Sequence, residues 1–269
     1  MGAATKSAAA ARDEILRDRA TIKDLITARL PPHLVKGIYS DLAGVVFVFH
    51  LRGESAVLHY LGIEQFRATP LVRQPFEHLI VPQFIGPQAL AEINADYPKI
   101  STSGSFPVDQ VAFGPAFRTL LDELNSDAFR EAFEDKFDIE LSGRPTITTV
   151  RGRCGPGDGK IHTDSVTKII TVLIYMHETW DHPGGRLRLL RSSLDLNDVI
   201  VEVPPIAGTL LAFKRSNNSW HGHEPFVGER RVIQFNWLTS KGNRQIAMLR
   251  HHTSASFKRL LQIVMPGRP

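Results

Sequence analysis

The sequence predicts an α+β protein whose core is mainly β, a sandwich, jelly roll or barrel with supporting helices on either side of it. After residue 145 the chain becomes a series of short runs rich in β-branched and aromatic residues, at 146–152, 167–176, 186–190, 198–203, 209–214 and 230–238. Gly, Pro, Asp and Asn separate these runs, which is the punctuation of antiparallel strands and turns. Upstream, apolar residues recur at helical spacing instead, with Leu120, Leu121 and Leu124 in one stripe and Phe129, Phe133 and Phe137 in another. The 269 residues are 42% hydrophobic, enough for one sizeable core.

In chain order, residues 12–30 carry Ile15, Leu16, Ile22, Leu25, Ile26 and Leu30 as one face of a helix, which Pro31 and Pro32 end. Two extended runs follow around the turn residues Arg52, Gly53, Glu54 and Ser55. Residues 1–70 are therefore expected to form an N-terminal extension, and 71–269 the main domain with its core at about 145–240. That domain opens with a strand at 76–81 and helices at 87–96, 115–124 and 126–136, and closes with a helix at 254–264. The Gly155 to Gly159 stretch is a loop, because it lacks the Lys-Ser/Thr and following helix of a phosphate cradle.

Composition narrows the function classes. A single cysteine, Cys154, excludes an intramolecular disulfide and a thiolate zinc cluster, so a metal would need histidine and carboxylate ligands. The formal charge is only +4, without a dense Lys/Arg block, so no nucleic-acid partner is expected. The longest apolar run, at 43–51, is about half of a spanning helix. Asp13, Glu14 and Asp18 in the first twenty residues disfavour a signal peptide. These features lead to an expectation of a cytoplasmic protein with no membrane contact.

His162 and Asp164 stand two apart before a β-branched run. On an extended segment both side chains project to one face and can approach one ion. Alone the pair also reads as a polar turn, since about one such pair per two chains arises by chance. A second stretch adds His221 and His223, again at strand spacing, then Pro225, Gly228 and the pair Arg230-Arg231 at the start of an apolar strand. Two histidines and a carboxylate, with the remaining positions open, suit Fe(II) that must bind a cosubstrate and dioxygen together. An arginine inside a barrel is costly unless it meets an anion.

Five segments in order resemble one family, the Fe(II)/2-oxoglutarate-dependent dioxygenases, within them the prolyl-hydroxylase-like branch. They are His162-Thr163-Asp164, the strand ending in Tyr175, the Gly184-Gly185 strand, the segment 204–216, and His221 with Pro225, Gly228 and Arg231. The resemblance implies a double-stranded β-helix, with Fe(II), 2-oxoglutarate and O2 as cofactors and ascorbate as an accessory reductant. It implies that His162, Asp164 and His221 bind iron and that Arg231, ten residues after His221, pairs with the distal carboxylate of 2-oxoglutarate. Tyr175 falls where the branch often places a hydroxyl on that carboxylate, and Thr171 shares its strand face. His223 matches neither interval and is expected at the rim.

The implied reaction is hydroxylation of an unactivated C–H bond in a prolyl-type protein residue or a small metabolite, with release of succinate and CO2. The sequence departs from the branch before His162, where Arg151 and Arg153 replace a tyrosine-containing strand; from these two arginines an acidic substrate is expected. The competing reading is a non-catalytic jelly-roll metal-binding or sensor domain, and a cupin-like dioxygenase is a third. Both leave the arginine at 231 unexplained.

Overall fold

Strands after residue 145 cross back and forth between two antiparallel sheets, and the candidate site lies between them. The computed structural model describes residues 58–242, which fall in a compact unit beginning at Leu58. Its strands are β1 (His78–Val81), β2 (Phe106–Pro107), β3 (Thr146–Cys154), β4 (Lys168–Tyr175), β5 (Leu187–Leu190), β6 (Val199–Val203), β7 (Leu210–Lys214), β8 (Trp220–Gly222) and β9 (Gly228–Leu238). The large sheet has the order β1-β7-β4-β9-β3-β2 and the small one β6-β5-β8. Between β3 and β4 the chain also touches the small sheet, where His162 bridges to His221 on β8. Large, small, large, small, small, large, small, large is the winding of a double-stranded β-helix, which has the expected class.

Alternation along the strands sorts residues between two cores. On β4, Ile170, Val172 and Ile174 face the helices with Ile233, Phe235 and Trp237 of β9. The opposite faces look between the sheets, where Tyr175, Leu187, Leu189, Leu211, Phe213 and Val232 pack together. The helices are α1 (Ile63–Ala68), α2 (Pro87–Ala95), α3 (Pro115–Leu124) and α4 (Asp127–Phe137). Ser126 caps α4 by accepting from Phe129 N, and Asp138 ends it in the left-handed region. The α4 stripe then lies on the sheet, with Phe129 stacked 5.7 Å from Trp237 and Phe133 4.9 Å from it. Each such fully buried aromatic contributes about 1.5–3 kcal/mol.

Residues 58–70, expected in the N-terminal extension, contribute Leu61 and Phe66 to this core. Where the second extended run is expected, His59 and Tyr60 lie in a bend and Leu61 bridges Ile85, and α1 begins at Ile63. That six-residue helix draws its stability from Phe66 stacked on Phe133 at 4.4 Å and from Lys136, whose Nζ donates to the carbonyls of Arg67 and Thr69. The preceding residues are held by Glu123, a buried carboxylate that accepts from His59 N at 2.6 Å, Tyr60 N at 3.0 Å and Leu61 N at 3.2 Å. Glu123→Ala should therefore cost about 2–3 kcal/mol by stranding these donors, read as a lowered urea midpoint. A change under about 0.5 kcal/mol, as for an ordinary surface site, would refute this anchoring role.

The expected helices at 12–30 and 254–264 and the extended run at 43–51 lie outside the described residues. Among the described residues no helix is long and apolar enough to cross a membrane.

Candidate active site

His162 and His221 are pinned to each other by backbone before their side chains do anything. Each donates its N–H to the other's carbonyl at 3.0 Å, and their rings stand 4.2 Å apart. Asp164 comes two residues later, and one potential ligand atom from each of the three lies within 4.8 Å of the others. Both imidazoles are oriented alike. Nδ1 of His162 lies 2.9 Å from the Lys160 carbonyl and Nδ1 of His221 lies 3.0 Å from the Ser219 carbonyl. A carbonyl only accepts, so each Nδ1 carries the proton and each Nε2 keeps a lone pair for a metal.

Charge agrees with geometry. Burial pushes the Asp164 carboxyl up, but the Lys168 ammonium, the neighbouring His221 and hydrogen bonds from Lys168 and Thr171 outweigh it and hold the group at about 2. Burial pushes His221 down to about 4, against the pull of Asp164. The trio is thus an anion beside a neutral imidazole, with His162 on the exposed side and the other two buried.

These residues edge a cavity of about 560 Å³ between the sheets. Thr171 and Leu173 of β4 line it, with Arg230, Val232, Gln234 and Asn236 of β9. This alternation separates the two adjacent arginines, of which Arg231 is the one expected from the resemblance to meet the cosubstrate. Even-numbered residues of β9 face the cavity, so Arg230 points in, only 5% exposed, while Arg231 points to the opposite face. There Arg231 lies 5.8 Å over the Tyr97 ring and pairs with Glu229. The signal was present in the sequence: Gln234 and Asn236 share the parity of Arg230, and Ile233, Phe235 and Trp237 that of Arg231.

Arg230 Nε donates to the Gly185 carbonyl at 2.8 Å, and its guanidinium stands 5.6 Å from the centre of the Tyr175 ring. Arg230 Nη2 and Tyr175 Oη are both buried without a hydrogen-bond partner of acceptable geometry. Burial pushes the Tyr175 phenol up to about 12, against the opposing charge of Arg230, so it remains a donor.

Thr171 lines the cavity as expected, but its hydroxyl donates to Asp164 Oδ2, with the Asn236 amide 3.0 Å away on its other side. It therefore holds the carboxylate in place. His223 lines the cavity outside the trio, its Nδ1 2.8 Å from the Glu224 carbonyl. It sits against Gly159, where a Cβ would come within 2.4 Å of the His223 carbonyl and where φ is +95°. Arg151 reaches the cavity but is tied to Asp158 and to Ser105 Oγ. Arg153 is exposed and is not among the lining residues. Lys168, Gln234 and Asn236 were not singled out in the sequence.

Residues 150–239 match the family model described as 2OG-Fe(II) oxygenase superfamily. No curated protein sequence matches the chain. Among solved structures, the chain is similar to a prolyl-4-hydroxylase from Pseudomonas putida (16% identity, 66% of this chain and 93% of that one, TM-score 0.43). A second is a Trichoplax adhaerens prolyl hydroxylase in complex with a hypoxia inducible factor oxygen degradation domain peptide fragment (17% identity, 65% and 86%, TM-score 0.43). A third is the viral collagen prolyl hydroxylase of Paramecium Bursaria Chlorella virus-1 in its 2OG complex (16% identity, 61% and 96%, TM-score 0.45). The chemistry is read from the site's own residues and the family match.

Proposed function

We propose that the protein is a 2-oxoglutarate-dependent dioxygenase using Fe(II), 2-oxoglutarate and O2, a reading supported by the match of residues 150–239 to the 2OG-Fe(II) oxygenase superfamily model, and that the cavity between the sheets is its active site. In this reading His162, Asp164 and His221 hold the iron, and Arg230 with Tyr175 receives the distal carboxylate of 2-oxoglutarate. The observation that carries it is the pair of unpartnered donors, Arg230 Nη2 and Tyr175 Oη: Arg230 lines the same cavity as the trio, and Tyr175, which is not among the lining residues, lies next to Arg230. A buried guanidinium nitrogen without an acceptor is costly, and a carboxylate removes that cost through charge-assisted hydrogen bonds. A scaffold or sensor domain has no use for it.

The donor set fits a divalent iron: two imidazole nitrogens and one ionised carboxylate gathered on one side, with the cavity on the other. When bound, iron and cosubstrate supply the oxidising chemistry, in which a substrate C–H becomes C–OH as 2-oxoglutarate and O2 yield succinate and CO2. The chain's own contribution is placement. Thr171 fixes the Asp164 carboxylate, the Lys160 and Ser219 carbonyls fix the two imidazoles, and Leu173, Leu187 and Val232 keep water from the cavity wall. The substrate is a prolyl-type peptidyl residue or a small metabolite.

Succinate formed in step with 2-oxoglutarate loss, dependent on added Fe(II) and O2, is the expected result for the purified protein. Absence of both succinate formation and 2-oxoglutarate binding under those conditions would refute the reading.

A further inference from the structure

Five permanently charged or strongly ionised side chains line the cavity: Arg151, Lys168 and Arg230 as cations, Asp158 and Asp164 as anions. That leaves one positive charge in excess. Fe(II) and 2-oxoglutarate, in the places assigned to them, bring opposite double charges and do not change the excess. The partners can then be assigned in turn. Arg151 is tied to Asp158. Arg230 receives the cosubstrate carboxylate, and Asp164 serves the metal. Lys168 remains, although it stands 2.7 Å from Asp164 Oδ1 with its side chain only 19% exposed. A divalent ion on Asp164 takes up the negative charge on which Lys168 leans and repels the ammonium.

The backbone shows that Lys168 is aimed at the cavity by a specific device. On β4, Lys168 is opposite Leu238 of β9 and Ile170 is opposite Trp237, so two steps on one strand match one step on the other. Ile169 is the extra residue of a β-bulge. By strict alternation Lys168 would share the core face of Ile170, Val172 and Ile174. The bulge turns it to the cavity face with Thr171 and Leu173, while Ile169 packs against the main core. A strand that breaks its ladder to move a lysine from the helix side to the metal side of a sheet gives that lysine a position plain pairing would not.

We propose that Lys168 is the specificity-determining residue for the primary substrate, and that this substrate carries one anionic oxygen group, a carboxylate, which the Lys168 ammonium receives beside the metal. The inference rests on the proposed function and narrows it. It moves the acidic-substrate expectation from Arg151 and Arg153, one neutralised and the other off the cavity, to a different residue. The carboxylate is that of a free acid or of an acidic side chain in a peptide; both present the same group.

Binding rather than turnover tests this. The full chain, loaded with Zn(II) in place of iron and saturated with 2-oxoglutarate, is titrated calorimetrically with matched pairs: N-acetylated amino acids against their amides, and blocked peptides with Asp against Asn. The expected result is a preference for the acid of about tenfold or more in at least one pair, as for a charge-assisted contact. Discrimination in the first set identifies a free acid, and in the second a peptidyl one. Lys168→Gln should erase the preference, and Lys168→Arg should keep most of it. Equal binding of acid and amide, no carboxylate binding at millimolar concentration, or a preference that survives Lys168→Gln overturns the proposal. A loss of Zn(II) affinity in Lys168→Gln without loss of the preference also overturns it, because Lys168 would then only position Asp164. Failure of the unmodified chain to hold Zn(II) or 2-oxoglutarate at all is read before any substrate is added, and it removes the parent reading together with this one.

Discussion

Asp164→Ala should abolish both iron binding and succinate release while the fold persists. The carboxylate is the one anionic member of the trio, held near pKa 2 by Lys168, His221 and Thr171, and its loss leaves two imidazoles facing a divalent ion. Removing one partner from a buried charge pair costs about 3–5 kcal/mol, or a fall in affinity of roughly a hundredfold to a few thousandfold. His221→Ala should act in the same direction. His223→Ala should keep the metal, since His223 lies outside the trio. Metal titration of the three variants decides the matter: an unchanged iron content in Asp164→Ala, or loss of metal in His223→Ala but not in His221→Ala, would mean that the ion sits elsewhere.

The two adjacent arginines should separate as sharply. Arg230→Met is expected to retain iron and to raise the 2-oxoglutarate concentration for half-maximal turnover by about ten- to a hundredfold, the worth of a charge-assisted hydrogen bond in a buried site. Arg231→Met removes a half-exposed pair with Glu229 and a contact over Tyr97, so its 2-oxoglutarate requirement should stay within about twofold and its stability within about 1 kcal/mol. Measured dependence on 2-oxoglutarate for both variants suffices. A large effect at 231 with none at 230 would restore the spacing-based assignment and remove Arg230 from the pocket's chemistry.

Period and spacing decide how much of the fold and site was legible in the sequence. The β-rich second half and the three helices before it were readable because long periodic stretches report their own burial: the stripe Phe129, Phe133, Phe137 packs as expected, and all six long strands appear within one or two residues of their predicted ends. β2 and β8, at two and three residues, are too short to show a period. Helix α1 depends on Phe133 and Lys136, some seventy residues away, so no local window contains its cause. His162, Asp164 and His221 stood out by their spacing, and the structure brings one potential ligand atom of each within 4.8 Å of the others.

Arg231 was selected by a ten-residue interval when the polarity alternation of 230–237 already placed Arg230 on the other face. Lys168 could not be found at all. Its direction is set by a bulge that exists only in the pairing of β4 with β9, and pairing register is not written in either strand alone.

The bridge between His162 and His221 has a thermodynamic consequence. His221 belongs to the small sheet, and Asp164 leads directly into β4 of the large one. Ligands drawn from both layers exist as a set only when the layers are assembled, so an ion that binds them binds the native chain and not the unfolded one. Such linkage adds RT ln(1 + [L]/Kd) to stability, about 2.7 kcal/mol at a hundredfold excess over the dissociation constant. The ion is then a reversible crosslink between two sheets, and chelation should lower the thermal midpoint of the unmodified chain while leaving that of Asp164→Ala where it was.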